Sequence, residues 1–411
     1  LITPLNYNDH IDRIKECDWV VEAISERLDW KQDLYNKIIP FLNDDCIVTS
    51  NTSGISLSNL SKNLPQEFLD KFFITHFFNP PRYMKLVEII SSSSTDTKLV
   101  DKIDGFLTDM LGKNIVYAKD TPNFIANRIG VYGMMITLSE AYKRKLSIED
   151  VDALTGTIIG RPKSATFRTA DVVGLDTMCF VANTAYNDCP DDPEREIFKL
   201  PDYIQKMIDN KWLGQKTKQG FYKKIDKGVI HSLDLDSMEY KPMNKKKYSA
   251  FSIAKENTYL KDRLNAVVRV DDVAGEFLWI CFAKSLAYSA NLLGTIADDV
   301  VSIDDAMKGG FGWDLGPFEV LDAIGLDYFV NRCIEDDISL PDWLSSMVKS
   351  NFKSIYTYVD GKKSFFDLVN NKLDITFANE QEILSLIDAK NFNEVIAFGK
   401  QLGKLLVITR G

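Results

Sequence analysis

The pair best suited to proton transfer in this sequence is His76 and Glu88, twelve residues apart. His76 stands just past the apolar run Phe72-Phe73-Ile74-Thr75 and is followed by Phe77-Phe78-Asn79-Pro80-Pro81. Ligands of an open α/β sheet lie beyond the carboxyl ends of its strands, so a side chain there is placed to meet one. The bland alternative is a satisfied structural histidine. Glu88 falls inside the next apolar run, among Leu86, Val87, Ile89 and Ile90. A carboxylate there either faces solvent or needs a buried partner, because an unpaired buried charge is costly. Pairing with His76 satisfies it, fixes the imidazole tautomer and stabilises the imidazolium formed when the ring accepts a proton.

Two further residues are candidates for holding a polar ligand. Ser53, in Ser50-Asn51-Thr52-Ser53, follows another strand-like run on the same edge; such a cluster is also ordinary turn chemistry. Asn127 is expected inside a long helix, where asparagine is a poor residue unless its side chain is used for hydrogen bonding or faces water. The six cysteines are scattered, without a Cys-x-x-Cys pair, and there are three histidines, so no metal site is expected. Reduced, mostly buried thiols in a cytoplasm-like compartment are the expectation.

The elements that must carry these residues are readable from periodicity. The first ~120 residues alternate short apolar runs with amphipathic stretches, the pattern of an α/β domain. Strands are expected at Trp19–Ile24, Cys46–Thr49, Phe72–Thr75, Leu86–Ile90 and Ile115–Tyr117, with helices at Leu28–Leu42 and about Lys98–Leu111. After Asp120-Thr121-Pro122 the chain reads as helical, with Thr121 as cap and Pro122 in the first turn. Residues 226–265 are Lys-rich with little apolar periodicity and read as a linker. A second helical block follows. Ser147-Ile-Glu-Asp-Val-Asp is matched by Ser302-Ile-Asp-Asp-Ala-Met, and Phe167-Arg-Thr-Ala-Asp171-Val-Val-Gly174-Leu-Asp176 by Phe318-Glu-Val-Leu-Asp322-Ala-Ile-Gly325-Leu-Asp327. We infer a duplicated helical domain. The fold expected is α/β followed by all-α: a partial Rossmann-like domain and two related helical domains. The divisions are 1–120, 121–225, the linker 226–265, a second repeat over 266–375, and a tail over 376–411 with no assigned role.

Composition narrows the partners. A net charge of -10, from 49 basic and 59 acidic residues, argues against nucleic acid and anionic membrane as partners. No apolar stretch reaches the ~20 residues of a membrane span; the best, Phe277–Ala283, is bounded by Asp272, Glu276 and Lys284.

Val21-Glu-Ala-Ile-Ser-Glu26, Ser50-Asn-Thr-Ser53, His76-Phe-Phe-Asn-Pro80, Met84-Lys-Leu-Val-Glu88, Asp120-Thr-Pro-Asn-Phe-Ile-Ala-Asn127-Arg128 and Gly220-Phe-Tyr occur in order. Together they resemble the NAD-dependent L-3-hydroxyacyl-CoA dehydrogenases of fatty-acid β-oxidation, over residues 1 to about 222. The second block resembles the extra repeat of the long and multifunctional members. The resemblance implies His76 as general base, Glu88 as its orienting carboxylate, and Ser53 and Asn127 as hydrogen-bonders of substrate oxygens. It implies that Glu26, Lys31, Ser53 and Asn79 line the site of NAD. It also implies an acyl-CoA substrate and allows a hydratase domain or subunit. Where Asn127 stands in the first repeat, the second has Asp272-Val-Ala-Gly-Glu276, so the second is read as structural, with Phe311-Gly-Trp313 as a conceivable acyl-chain wall.

The sequence contains no Gly-x-Gly-x-x-Gly, the turn that holds the pyrophosphate of a dinucleotide. The chain is therefore expected to be a piece of a longer dehydrogenase; the competing expectation is a non-catalytic remnant or assembly subunit that keeps the fold without binding NAD. Sequencing upstream of Leu1 separates them: a Gly-x-Gly-x-x-Gly opening a helix supports the enzyme, and an unrelated stretch supports the remnant.

Overall fold

The computed structural model describes residues 2–244 and 246–359, with short strands at 362–367, 372–374, 378–379 and 408–409; side chains are described to residue 357. The expected tail, 376–411, therefore lies almost wholly outside the described residues, and the end of the expected second repeat lies partly outside them.

Five strands form one sheet in chain order: β1 (Trp19–Glu22), β2 (Ile47–Ser50), β3 (Phe72–Phe77), β4 (Leu86–Ile90) and β5 (Asn114–Tyr117). Neighbours are parallel except β3 and β4. The connection from Phe77 to Leu86 is too short for the crossover that parallel strands require, so the chain turns back on itself. β2 and β4 are buried along their whole length, and β3 along all but its last residue, which is why they read as continuous apolar runs. Helix α1 (Leu28–Ile38) covers one face with Leu34, Tyr35 and Ile38, over Val48, Phe72 and Ile74. Helix α2 (Thr97–Gly105) covers the other with Val100 and Ile103, over Ile47, Phe73, Val87 and Ile89.

The helical part opens with α3 (Ala126–Lys143), α4 (Ile148–Leu154), α5 (Phe167–Val173) and α6 (Leu175–Asp188). The expected helix start at Thr121-Pro122 is wrong. Asn123 and Phe124 take φ of 65° and 49°, Thr121 caps nothing, and α3 begins at Ala126. The linker expectation is also corrected. Residues 222–242 form the antiparallel strands β6 (Tyr222–Asp226), β7 (Val229–Asp234) and β8 (Glu239–Pro242), and two helices follow, α7 (Ser249–Glu256) and α8 (Leu260–Val267). These strands bury little beyond Ser232 and Leu233, so their lysine-rich outer faces mask the alternation. The second helical block contains α9 (Val273–Asn291), α10 (Val300–Phe311), α11 (Pro317–Ile324), α12 (Leu326–Glu335) and α13 (Asp342–Lys349).

The same hydrogen-bond scheme is built twice. Asp152 accepts from the N–H groups of Thr166, Phe167 and Arg168 and from the Tyr222 hydroxyl. Asp304 accepts from the N–H groups of Phe318 and Glu319 and from the Tyr356 hydroxyl. Asp171 takes the N–H groups of Phe221 and Tyr222, each at 2.8 Å, and Asp322 those of Ile355 and Tyr356 at 2.7 and 2.9 Å. This pattern corrects one alignment. Ser147 caps α4 and Asp299 caps α10, so Ser147 corresponds to Asp299 and the match to Ser302 is three residues out of step. A slip close to one helical turn keeps apolar positions in phase, which is how it escaped the periodicity. Asp171→Asn leaves one of two buried N–H groups facing an amide N–H₂. We expect a loss of about 1–3 kcal/mol, read by urea denaturation, and a similar loss for Asp322→Asn.

Candidate active site

The reversal between β3 and β4 sets His76 directly across from Glu88 in register. Their side chains are 3% and 0% exposed, and His76 Nδ1 lies 2.7 Å from Glu88 Oε2. The other carboxylate oxygen, Oε1, accepts from the N–H groups of Ile125 at 3.1 Å and Ala126 at 2.8 Å. These are among the N–H groups that open α3 and have no partner inside the helix, so Glu88 serves as the cap that Thr121 does not provide. An ionised carboxylate only accepts, so it assigns the proton to Nδ1 and leaves the lone pair of Nε2 for chemistry. The ring centroids of Phe78 and Phe124 lie 4.4 and 5.6 Å from that of His76, giving the imidazole apolar neighbours.

Ser53 and Asn127 are brought to the same place. Asn127, in the first turn of α3, donates through Nδ2 to the Ser53 carbonyl at 3.3 Å. Glu26 Oε1 holds the Ser53 turn by accepting from Thr52 Oγ1, Ser53 N and Gly54 N at 2.6, 2.7 and 3.1 Å. The Asn51 side chain accepts from Phe77 N at 2.9 Å, tying that turn to the residue after His76. Among the described residues, neither the Ser53 hydroxyl nor the exposed Asn79 amide makes a hydrogen bond.

Lys31 is not at the surface of the cleft. It is 0% exposed, and Nζ bonds Glu22 Oε1 and Oε2 at 2.8 and 3.0 Å and lies 3.3 Å from Glu26 Oε2. Glu22 also accepts from Tyr35 at 2.8 Å and Ser50 at 2.6 Å. Burial, and then the Glu22 charge, holds the Tyr35 phenol well above its ordinary pKa. Sequence reasoning missed Glu22, Tyr35 and Ser50. The available signal was the one that found Glu88: a carboxylate at the end of an apolar run, Trp19-Val20-Val21-Glu22, needs a buried partner. Arg128 was missed as well. Buried beside Asn127, it pairs with Asp192 and donates to Tyr288, a residue of α9, at 2.7 Å.

Comparison with known proteins agrees with this arrangement. Residues 1–121 match the family model of the 3-hydroxyacyl-CoA dehydrogenase NAD binding domain, and residues 124–224 and 281–352 match that of the C-terminal domain. The chain belongs to the 3-hydroxyacyl-CoA dehydrogenase family. It is 43% identical over 366 residues to the "Probable 3-hydroxyacyl-CoA dehydrogenase" of Bacillus subtilis, covering 89% of this chain and 46% of that protein. It is 32% identical over 397 residues to a protein of Rickettsia prowazekii named as a fatty acid oxidation complex trifunctional enzyme, covering 95% and 52%. The chain thus spans about half the length of these relatives. Among solved structures, 3-hydroxybutyryl-CoA dehydrogenase of Escherichia coli K12 shares the fold, with a TM-score of 0.60 at 19% identity over 83% of this chain and 84% of that one.

The buried Lys31–Glu22 pair makes Lys31 a residue of stability. Lys31→Met strands the Glu22 carboxylate in the core, with an expected cost of about 3–5 kcal/mol by chemical denaturation. A loss below about 1 kcal/mol, the level of a surface pair, would contradict this account.

Proposed function

We propose that this chain carries the proton-transfer centre for NAD-dependent oxidation of a 3-hydroxyacyl-CoA to the 3-ketoacyl-CoA in fatty-acid oxidation. The observation that carries this reading is the buried His76–Glu88 pair, with the second Glu88 oxygen held by the start of α3. Nε2 of His76 takes the 3-hydroxyl proton, and Glu88 stabilises the imidazolium that results. Because Glu88 is already oriented by two N–H groups, little reorganisation accompanies that charge. Ser53 and Asn127 orient the substrate oxygens from the opposite wall. When bound, NAD supplies the acceptor for the hydride leaving C3.

The residues present fit the nicotinamide end of such a cofactor. Ser53 and Asn79 offer a hydroxyl and an amide without internal partners, beyond the carboxyl ends of β2 and β3, where dinucleotides lie in open sheets. Glu26, 22% exposed, borders them, and Lys31 acts through Glu26. A hydratase that supplies the 3-hydroxyacyl thioester, in the same chain or a neighbouring subunit, fits the name of the trifunctional relative. In the natural full-length protein, His76→Gln is expected to lower kcat by about 100-fold or more, with thermal unfolding little changed. Undiminished oxidation of 3-hydroxyacyl-CoA by that variant would overturn the assignment.

A further inference from the structure

The second helical block meets the residues around His76 and Glu88 through the last turn of α10. Its sequence there is Lys308-Gly309-Gly310-Phe311-Gly312, with Gly312 at φ 65° ending the helix. A Cβ built on Gly309 meets Leu86 Cβ at 3.1 Å. One on Gly310 meets Leu86 Cδ2 at 2.8 Å, Phe78 Cε1 at 3.2 Å and Ala126 Cβ at 3.3 Å. Phe78 is the ring beside His76, Leu86 starts the strand of Glu88, and Ala126 gives its N–H to Glu88. The next residue, Phe311, reaches α3: its ring fills the space that a Cβ on Gly130 would occupy. Gly130 lies one turn beyond Asn127 on that helix. Trp313, by contrast, packs against Arg161, its ring centroid 4.2 Å from the guanidinium carbon.

We propose that Gly310 and Phe311 are positioning residues for the catalytic pair: the second block seats Phe311 in the notch at Gly130 and thereby fixes where α3 presents its opening N–H groups to Glu88. This rests on the function proposed above. The physical reason is distance. The Ile125 and Ala126 bonds to Glu88, at 3.1 and 2.8 Å, do not survive a shift of α3 by about 1 Å. A side chain on Gly130 cannot be accommodated without displacing either Phe311 or α3. Losing donors from Glu88 frees its carboxylate to turn, and with it the orientation of the His76 ring that the carboxylate holds.

The test is made in the natural full-length protein with four variants. Gly130→Ala is expected to lower kcat by about 10- to 100-fold, with KM for the acyl-CoA altered less than about threefold. Phe311→Ala empties the notch and is expected to lower kcat in the same way, again with little change in KM. A wild-type kcat in Gly130→Ala or in Phe311→Ala overturns the proposal. Should Gly130→Ala not fold, Gly310→Ala carries the test, since its Cβ presses on Phe78 and Ala126 directly, and the same fall in kcat at little-changed KM is expected; an unchanged kcat overturns the proposal. His76→Gln run alongside distinguishes the two claims. Its full activity removes the site assignment and this inference with it, whereas its inactivity beside an unaffected Gly130→Ala removes this inference alone.

Discussion

A carboxylate with no exposure to water has to have its charge met within the protein, and Glu88 meets that demand from three directions at once. Its register partner His76 takes one oxygen, and the opening N–H groups of α3 take the other. The strand that bears it, the strand that faces it and the first helix of the next domain are therefore joined at one side chain. Moving any of the three leaves a buried polar group unpaired, at a cost of about 1–3 kcal/mol. The domain junction is held where the proposed chemistry occurs.

Carboxylates that gather pairs of backbone N–H groups recur among the described residues. Glu26 shapes the Ser53 turn, Asp120 takes the N–H groups of Leu57 and Ser58, and Asp171 and Asp322 anchor the chain returning to each helical block. Each ties an irregular segment, which cannot satisfy its own backbone, to a regular element that can lend a side chain. The acidic excess of the composition is in part this internal use.

The sheet was legible because its central strands are apolar without interruption, and the His76–Glu88 pairing was legible because Glu88 interrupts such a run. What escaped was of a different kind. The start of α3 was misplaced because its cap comes from a strand 37 residues earlier, which no local rule registers. The inward turn of the Lys31 charge to Glu22 was not legible either, because its partner lies nine residues away on another element. The strands after residue 221 were missed because they bury so little. The docking of α10 on Gly130 was invisible because a glycine inside a helix announces only a missing side chain, not what fills the space.

The short return between β3 and β4 also bears on the order in which such a site is assembled. His76 and Glu88 meet across a hairpin-like reversal spanning a dozen residues, whereas Ser53 and Asn127 meet across 74. Closing a small loop sacrifices less chain entropy than closing a large one, so the proton-transfer pair belongs to the local, early-forming contacts. Ser53 and Asn127 join only when α3 docks. The proposed proton transfer is thus written into one supersecondary unit, and the groups proposed to orient substrate are brought to it by the rest of the fold.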